Sequence, residues 1–394
     1  MRYFSLFLLF VAFPVLGQQP QESREVLKAL PLDFEETAPP IRIPPPVSGP
    51  LLEPTLITPA VNAPAIQNTS IPTVPSDEVS PLNTKPIGDD AARLQIFLDQ
   101  SNFGPGVIDG KIGEFSELAV KSWNEVNGHP LDDWAAANTA ARDSVPNPFA
   151  VALVPEIAKD WVNSELSQNR IEQSKVKRMA YRSIAEFMSE RYHTDIPTLT
   201  RLNPGISIYG LQPQNSIIVP NIRPFLIENL SDRAYNALED LSDRYVVVDT
   251  SINQIRIFAG APKPNIITDP DAPLPPRANT ALLASFPITP GKPEFVKLGT
   301  WKLHNMVEFP WWRYDQQLLD TGKRSENAYM IPPGPNSPVG IIWCGTTRSG
   351  IGLHGTSDPE TIGRSRSAGC IRLCNWDAIR LPTLVRPGAT IEIR

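Results

Sequence analysis

The stretch "GIGLHGTSDPETIGRSRSAGCIRLCNWDAIRL", residues 350–381, holds one of the four histidines and two of the three cysteines of a 394-residue chain. His354 ends the short apolar run "GIGLH", and a glycine turn follows it. Cys370 sits behind Gly369, where the missing Cβ lets backbone amides approach a reacting atom. A thiol attacks as its thiolate, and a neighbouring imidazole takes the proton. Arg372, two residues beyond Cys370 and so on the same strand face, favours the anion. Amides near Gly369 and Cys370 are suited to hold the oxyanion of a tetrahedral intermediate. These are the parts of an acyl-transfer site.

Other readings of the same residues are weaker. A metal centre needs three or four ligands, and one histidine with Cys370 and Cys374 falls short of the usual zinc spacing. No metal and no organic cofactor is expected. A Cys370–Cys374 or Cys344–Cys374 disulfide stays open at this point. Cys344, inside an apolar strand, reads as a small buried hydrophobe. His304 is a polar strand residue able to line a groove, whereas His129 and His193 read as loop and as surface or packing residues.

The start of the chain bears on the compartment. "MRYFSLFLLFVAFPVLGQQP" has a basic start at Arg2, an apolar run from Tyr3 to Leu16 and the small Gly17. That layout predicts a secretory signal peptide over residues 1–17. The run is too short for a membrane span, so no stable span is expected after cleavage. An exported protein with an odd number of cysteines keeps at least one thiol free in an oxidising compartment. The formal net charge of −6, from 36 basic and 42 acidic residues, offers no basic footprint for nucleic acid.

Several domains are expected. Residues 18–87 are rich in proline ("APPIRIPPPVSGPLLEP"), which fixes φ and removes amide donors, so this tract reads as a disordered linker. Residues 88–130 carry two short amphipathic helices, with Leu94, Phe97 and Leu98 on one inner face and Leu118, Ala119 and Trp123 on the other, joined by "GPGVIDGKIG". Residues 131–178 read as a mostly helical connector. Residues 179–222 give two helices, the second stopped at Asn203-Pro204-Gly205, and a closing strand "NSIIVP". From residue 243 to 394 the texture is strand-rich, with a hairpin at "RYVVVDTSINQIRIF" and a terminal "GATIEIR". A mostly-β sandwich or half-open barrel is expected there. The long segment 309–337, with Trp311, Trp312 and Tyr314, reads as a loop that shapes a site.

Three resemblances follow from these residues. Asp109-Gly110, Gly113, Ser116, Ala119 and Trp123 resemble the pattern of the helical peptidoglycan-binding module. "LNP" with "IIVP" resembles the LysM module, which binds glycans containing N-acetylglucosamine, although the usual opening "GDT" is absent. "HGT…S.GC.R" resembles the signature of the L,D-transpeptidase (YkuD-like) catalytic domain. That last resemblance implies Cys370 as nucleophile and His354 as general base and then acid. It also implies Gly355 as the source of a carbonyl orienting His354, Gly369 in the oxyanion region, and Ser367 and Arg372 in support. Many members carry histidine where this chain has Ala368. The expectation is an exported enzyme of the periplasm or cell wall that passes a peptidoglycan stem peptide through a cysteinyl thioester to an acceptor amine. The rivals are an L,D-carboxypeptidase or endopeptidase using the same thiol, and an inactive wall-binding protein.

Overall fold

The computed structural model describes residues 81–261, 281–293, 295–317, 325–364 and 369–394. The expected signal segment and the tract up to residue 80 lie outside the described residues. Residues 81–87, expected as the end of the linker, are held in place. The Asn138 side-chain amide donates to the carbonyls of Leu82 and Thr84, and Lys85 pairs with Glu117 at 2.7 Å.

Three helices come first: α1 (Gly88–Gln100), α2 (Glu114–Asn127) and α3 (Trp134–Ser144). Each end has a local cause. Asp89 and Asp90 lie in the positive first turn of α1. Gly128 ends α2 in the left-handed conformation, at φ 72°. The Asp133 carboxylate caps α3 by accepting from the Ala136 amide. Leu94, Leu98, Ile108, Ala119, Ala137 and Ala141 form their shared core. The buried Gln95 side chain organises the turn between α1 and α2, accepting from the amides of Asp109 and Gly110 and donating to the Lys111 carbonyl.

The expected helical connector is a correction. Only α3 and two short helices of one or two turns fall within 131–178, which also contains the strand β1 (Phe149–Leu153). This strand pairs antiparallel with β2 (Ser216–Pro220) across α4 (Ile184–Arg191) and α5 (Ile196–Leu202). A strand–helix–helix–strand unit therefore begins at residue 149. Five residues of "FAVAL" between prolines carry too little pattern to announce a strand whose partner lies so far along the chain. Ser183 and Asp195 cap the two helices by accepting from Glu186 and Thr198 amides.

The C-terminal part is one mostly-β sheet of eight strands. They are β3 (Tyr245–Asp249), β4 (Gln254–Phe258), β5 (Leu282–Pro287), β6 (Gly299–Glu308), β9 (Ile342–Thr346), β10 (Gly352–His354), β11 (Ile371–Arg372) and β12 (Thr390–Ile393). Their order is β11-β10-β9-β6-β12-β3-β4-β5. Val246, Val248, Ile255, Ile257, Leu353, Ile371, Ile391 and Ile393 turn inward by strand alternation and are almost fully buried. Past β5 the chain reaches the opposite edge of the sheet. Thr289 and Arg372 exchange backbone hydrogen bonds of 2.9 and 3.0 Å, which joins the two edges as in a barrel. The remaining free side of β5 is covered by the helical unit, where Ser285 pairs with Asn102 and Gly104 at 3.0 and 2.7 Å. Covered edges do not recruit other chains. The segment 309–337 is more than a loop, since it folds a hairpin of β7 (Trp312–Tyr314) and β8 (Tyr329–Ile331).

A buried cluster joins all three parts. Asp99, at the end of α1, lies 3.2 Å from the His193 ring nitrogen and accepts from Arg380. His193 stacks on Trp376 at 5.4 Å between centroids. It is a packing histidine, 4% exposed, rather than a surface one. Burial raises the Asp99 carboxyl, yet Arg380 and His193 overcome this and hold it near about 2. Arg380→Ala leaves that carboxylate buried without its guanidinium, at a cost of about 3–5 kcal/mol. Urea unfolding followed by tryptophan fluorescence checks this, and a loss below about 1 kcal/mol counts against it.

Candidate active site

Three neighbouring strands build the site. In register, His354 of β10 lies between Trp343 of β9 and Arg372 of β11, while Leu353 lies between Cys344 and Ile371. Strand alternation sends the second row into the core, where Leu353, Ile371 and Cys344 are fully buried. The first row points to the opposite face. Cys370, one residue ahead of Ile371, comes level with Gly352, whose amide hydrogen-bonds to its sulfur. Cys370 and His354 are thus diagonal neighbours on one sheet face, and the Cys370 thiol donates to the Gly350 carbonyl at 3.8 Å. The structure brings His354, Cys370, Arg372, Gly355 and Gly369 together; Ser367 lies outside the described residues.

The imidazole is tightly specified. It is 4% exposed, stacks on the Trp343 indole at 5.7 Å, and its Nδ1 lies 2.6 Å from the Gly355 carbonyl oxygen. A carbonyl only accepts, so Nδ1 carries the hydrogen and Nε2 keeps its lone pair. Burial lowers the His354 ring to about 4; the Gly355 carbonyl opposes this, and the Arg372 charge adds to it. The ring therefore stays neutral, a base rather than a stored acid. Gly352 has to be glycine because a Cβ there would lie 2.6 Å from the Trp343 ring.

The thiol is half-buried. Enough protein surrounds the sulfur for burial to push it up to about 11, against the Gly352 amide, which stabilises the anion. Both shifts favour the neutral forms, an unprotonated imidazole and a protonated thiol. Arg372, expected to favour the anion, has its guanidinium lowered by burial and supported by Asp358. The three cysteines are free thiols, which closes the disulfide question in this structure. Cys344 is buried and its thiol raised, as suits a small hydrophobe. His304 lies exposed on β6. Among the described residues no group of three or more His, Cys, Asp or Glu is placed to hold a metal ion.

Sequence reading missed the supports. Thr289 is 1% exposed; besides its bonds to Arg372, its hydroxyl accepts from the Gly363 amide at 2.7 Å. Gly291 packs against Gly369 so closely that a Cβ would lie 2.3 Å from the Gly369 Cα. Gly369 itself has φ 126°, a conformation open to glycine. Gly291→Ala is expected to push Gly369 and Cys370 out of place. Such overpacking costs about 1–3 kcal/mol of stability, and the rate at which iodoacetamide alkylates Cys370 is expected to change with it. An unchanged melting curve together with an unchanged alkylation rate would refute this. Asn375, fully buried, accepts from the Ile341 amide at 3.3 Å behind the Gly340–Gly355 contact. None of these residues carries chemistry of its own, so only the fold reveals them.

Residues 277–393 match the family model of the YkuD L,D-transpeptidase catalytic domain. That span begins after β3 and β4, which are hydrogen-bonded into the same sheet. A curated relative, YkuD of Bacillus licheniformis, which carries the L,D-transpeptidase name, is 38% identical over 61 residues, covering 16% of this chain and 37% of that protein. YkuD of Bacillus subtilis is 39% identical over 59 residues, 15% of this chain and 36% of that protein. The chain thus spans little more than a third of these relatives. Among solved structures, an L,D-transpeptidase from Mycobacterium smegmatis is similar at 16% identity and a TM-score of 0.26, over 39% of this chain and 58% of that one. L,D-transpeptidase 3 from Mycobacterium tuberculosis is similar at 14% identity and a TM-score of 0.26, over 47% and 76% of the two chains.

Proposed function

We propose, from the L,D-transpeptidase catalytic domain that residues 277–393 form, that the protein transfers peptidoglycan stem peptides through a thioester on Cys370. The observation that carries this reading is the tautomer of His354, fixed by the Gly355 carbonyl, on the sheet face that Cys370 shares. Nε2 takes the thiol proton as the sulfur attacks the scissile carbonyl of the stem. The oxyanion is held by amides near Gly369 and Cys370, and Arg372 adds positive charge at the rim of the site. As the tetrahedral intermediate collapses, the carbon–nitrogen bond breaks and the imidazolium returns its proton to the leaving amine. An acceptor amine then attacks the thioester, gives a proton to Nε2, and releases the Cys370 sulfur, which regains it. The low basicity of His354 suits this cycle, because the ring holds the proton only in transit.

The remaining parts of the reading concern place. The chain is proposed to be exported by its first 17 residues and to act in the periplasm or cell wall. The helical unit (peptidoglycan-binding-like) and the strand–helix–helix–strand unit (LysM-like) are proposed to contact the polymer. Among the described residues no helix is long and apolar enough to cross a membrane.

Purified protein incubated with tetrapeptide stems tests this by product mass. Linked dimers with release of the fourth residue are the expected result. Tripeptide alone would show water as the acceptor and reject transpeptidation, and unchanged stems would reject the enzymatic reading altogether.

A further inference from the structure

The fixed imidazole has a physical cause behind it, and that cause crosses from one unit to another. The Gly355 carbonyl that binds His354 sits in a turn pressed against Gly340, at φ 59°. A Cβ on Gly355 would lie 2.0 Å from the Asn375 Oδ1, and one on Gly340 2.3 Å from the same atom. The Asn375 amide is therefore wedged under both glycines. Its own orientation is set at the other end. Nδ2 donates to the Glu190 carboxyl at 2.7 Å and, at a longer 3.4 Å, to the Pro335 carbonyl, while Oδ1 accepts from the Ile341 amide at 3.3 Å. Glu190 comes from α4 of the strand–helix–helix–strand unit, is 5% exposed, and is also hydrogen-bonded to the buried Tyr181.

Such a carboxyl is costly to bury, since a polar group removed from water loses stability unless its partners replace that water. Burial raises Glu190 to about 8, with the Glu186 and Glu360 carboxylates adding to the rise. A merely space-filling position would be served better by an apolar side chain. What a carboxyl supplies here, and an apolar group does not, is the shorter of the two acceptors that set which way the Asn375 amide faces. With the amide reversed, an NH2 group would meet the Ile341 amide, donor against donor, and the turn that presents the Gly355 carbonyl would lose its support.

We propose that Asn375 and Glu190 are positioning residues for His354. Glu190 fixes the Asn375 amide, the amide fixes the Gly340–Gly355 turn, and the turn's carbonyl fixes the tautomer that leaves Nε2 open to the thiol proton. This rests on the general-base role given to His354 above. It makes the strand–helix–helix–strand unit part of the catalytic apparatus in addition to any contact it has with polymer.

The test uses the full chain and two independent readouts. Steady-state transfer with tetrapeptide stems gives kcat and KM. Alkylation of Cys370 by iodoacetamide, followed by intact mass from pH 4 to 9 with Cys370→Ser as the blank, reports thiolate formation without any acyl transfer. Glu190→Ala and Asn375→Ala are expected to lower both kcat and the alkylation rate at neutral pH by about tenfold or more, with KM nearly unchanged. Glu190→Gln, which keeps a carbonyl acceptor, is expected to recover most of the loss. In the wild type, the 15N spectrum of the His354 ring is expected to show the Nδ1–H tautomer, which remains a test even where a variant fails to fold. An Nε2–H tautomer would overturn the proposal, as would an unchanged kcat and alkylation profile in Glu190→Ala. The two readings separate cleanly. Loss of alkylation in the variants, beside a wild type inert toward stems, would uphold the positioning role and reject the transpeptidase reading. Active wild type with indifferent variants would do the reverse.

Discussion

Cys370→Ala is expected to abolish covalent capture of a stem peptide and to lower transfer by at least about 10⁴-fold, the scale on which nucleophile removal acts in hydrolytic triads. Intact-protein mass after incubation with stem peptide checks it, since the acyl group adds to the wild type and to no residue of the variant. The other two thiols offer no substitute. Cys344 and Cys374 are fully buried, and burial raises both above the ordinary thiol range. A variant still acylated, or still transferring at a tenth of the wild-type rate, would remove Cys370 from the centre of the reaction. Folding is not expected to suffer, because the Cys370 side chain is half-buried just ahead of a two-residue strand and is no part of the buried core.

His354→Gln is the second large effect, a loss of about 10²–10⁴-fold. The wild-type pH profile carries more information than the variant. A group whose ring is lowered to about 4 is a neutral base at every pH above that, and a thiol raised to about 11 is protonated at every pH below that. Activity that needs the neutral pair therefore rises as pH increases through the lower value and falls only as it passes the upper one. A plateau from about pH 6 to 9 is expected for kcat/KM with a stem peptide whose own groups do not titrate there. An acid limb near about 6.5, the ordinary imidazole value, would show that His354 is solvated and free to charge. A limb on the alkaline side near neutrality would instead show a thiolate already formed at rest. The same shift has a stability counterpart. His354 contributes stability in full above its unfolded value, and this is lost as pH falls through about 4.

Much of the candidate site was legible because nucleophilic chemistry draws on few residue types. In a chain with four histidines, a histidine and a cysteine sharing one glycine-punctuated stretch with arginine is a dense pattern. Parallel pairing of β10 with β11 then accounts for why sixteen residues of separation become one strand spacing. The hairpin of β3 and β4 and the terminal β12 were legible from alternation, since each has one face in the core. The short β1 was not, because its pattern exists only together with β2. Glu190 and Asn375 were invisible for a related reason. An asparagine after a cysteine and a glutamate on an amphipathic helix are common, and their meaning comes from a contact between residues 185 positions apart. Thr289 and Gly291 likewise act through backbone geometry, which residue type does not announce.

The sealing of β5 by residues 102–104 bears on how the protein can be divided. A shortened chain starting at residue 243 would bare the outer amides and carbonyls around Ser285 and leave Asn375 without the Glu190 carboxyl. Such a fragment would be prone to stack strand against strand with its own copies, and any survivor would hold the His354 turn without its Glu190 support. The preceding units thus behave as an outer wall of the eight-stranded sheet, and evolution or engineering that swaps them must rebuild that wall.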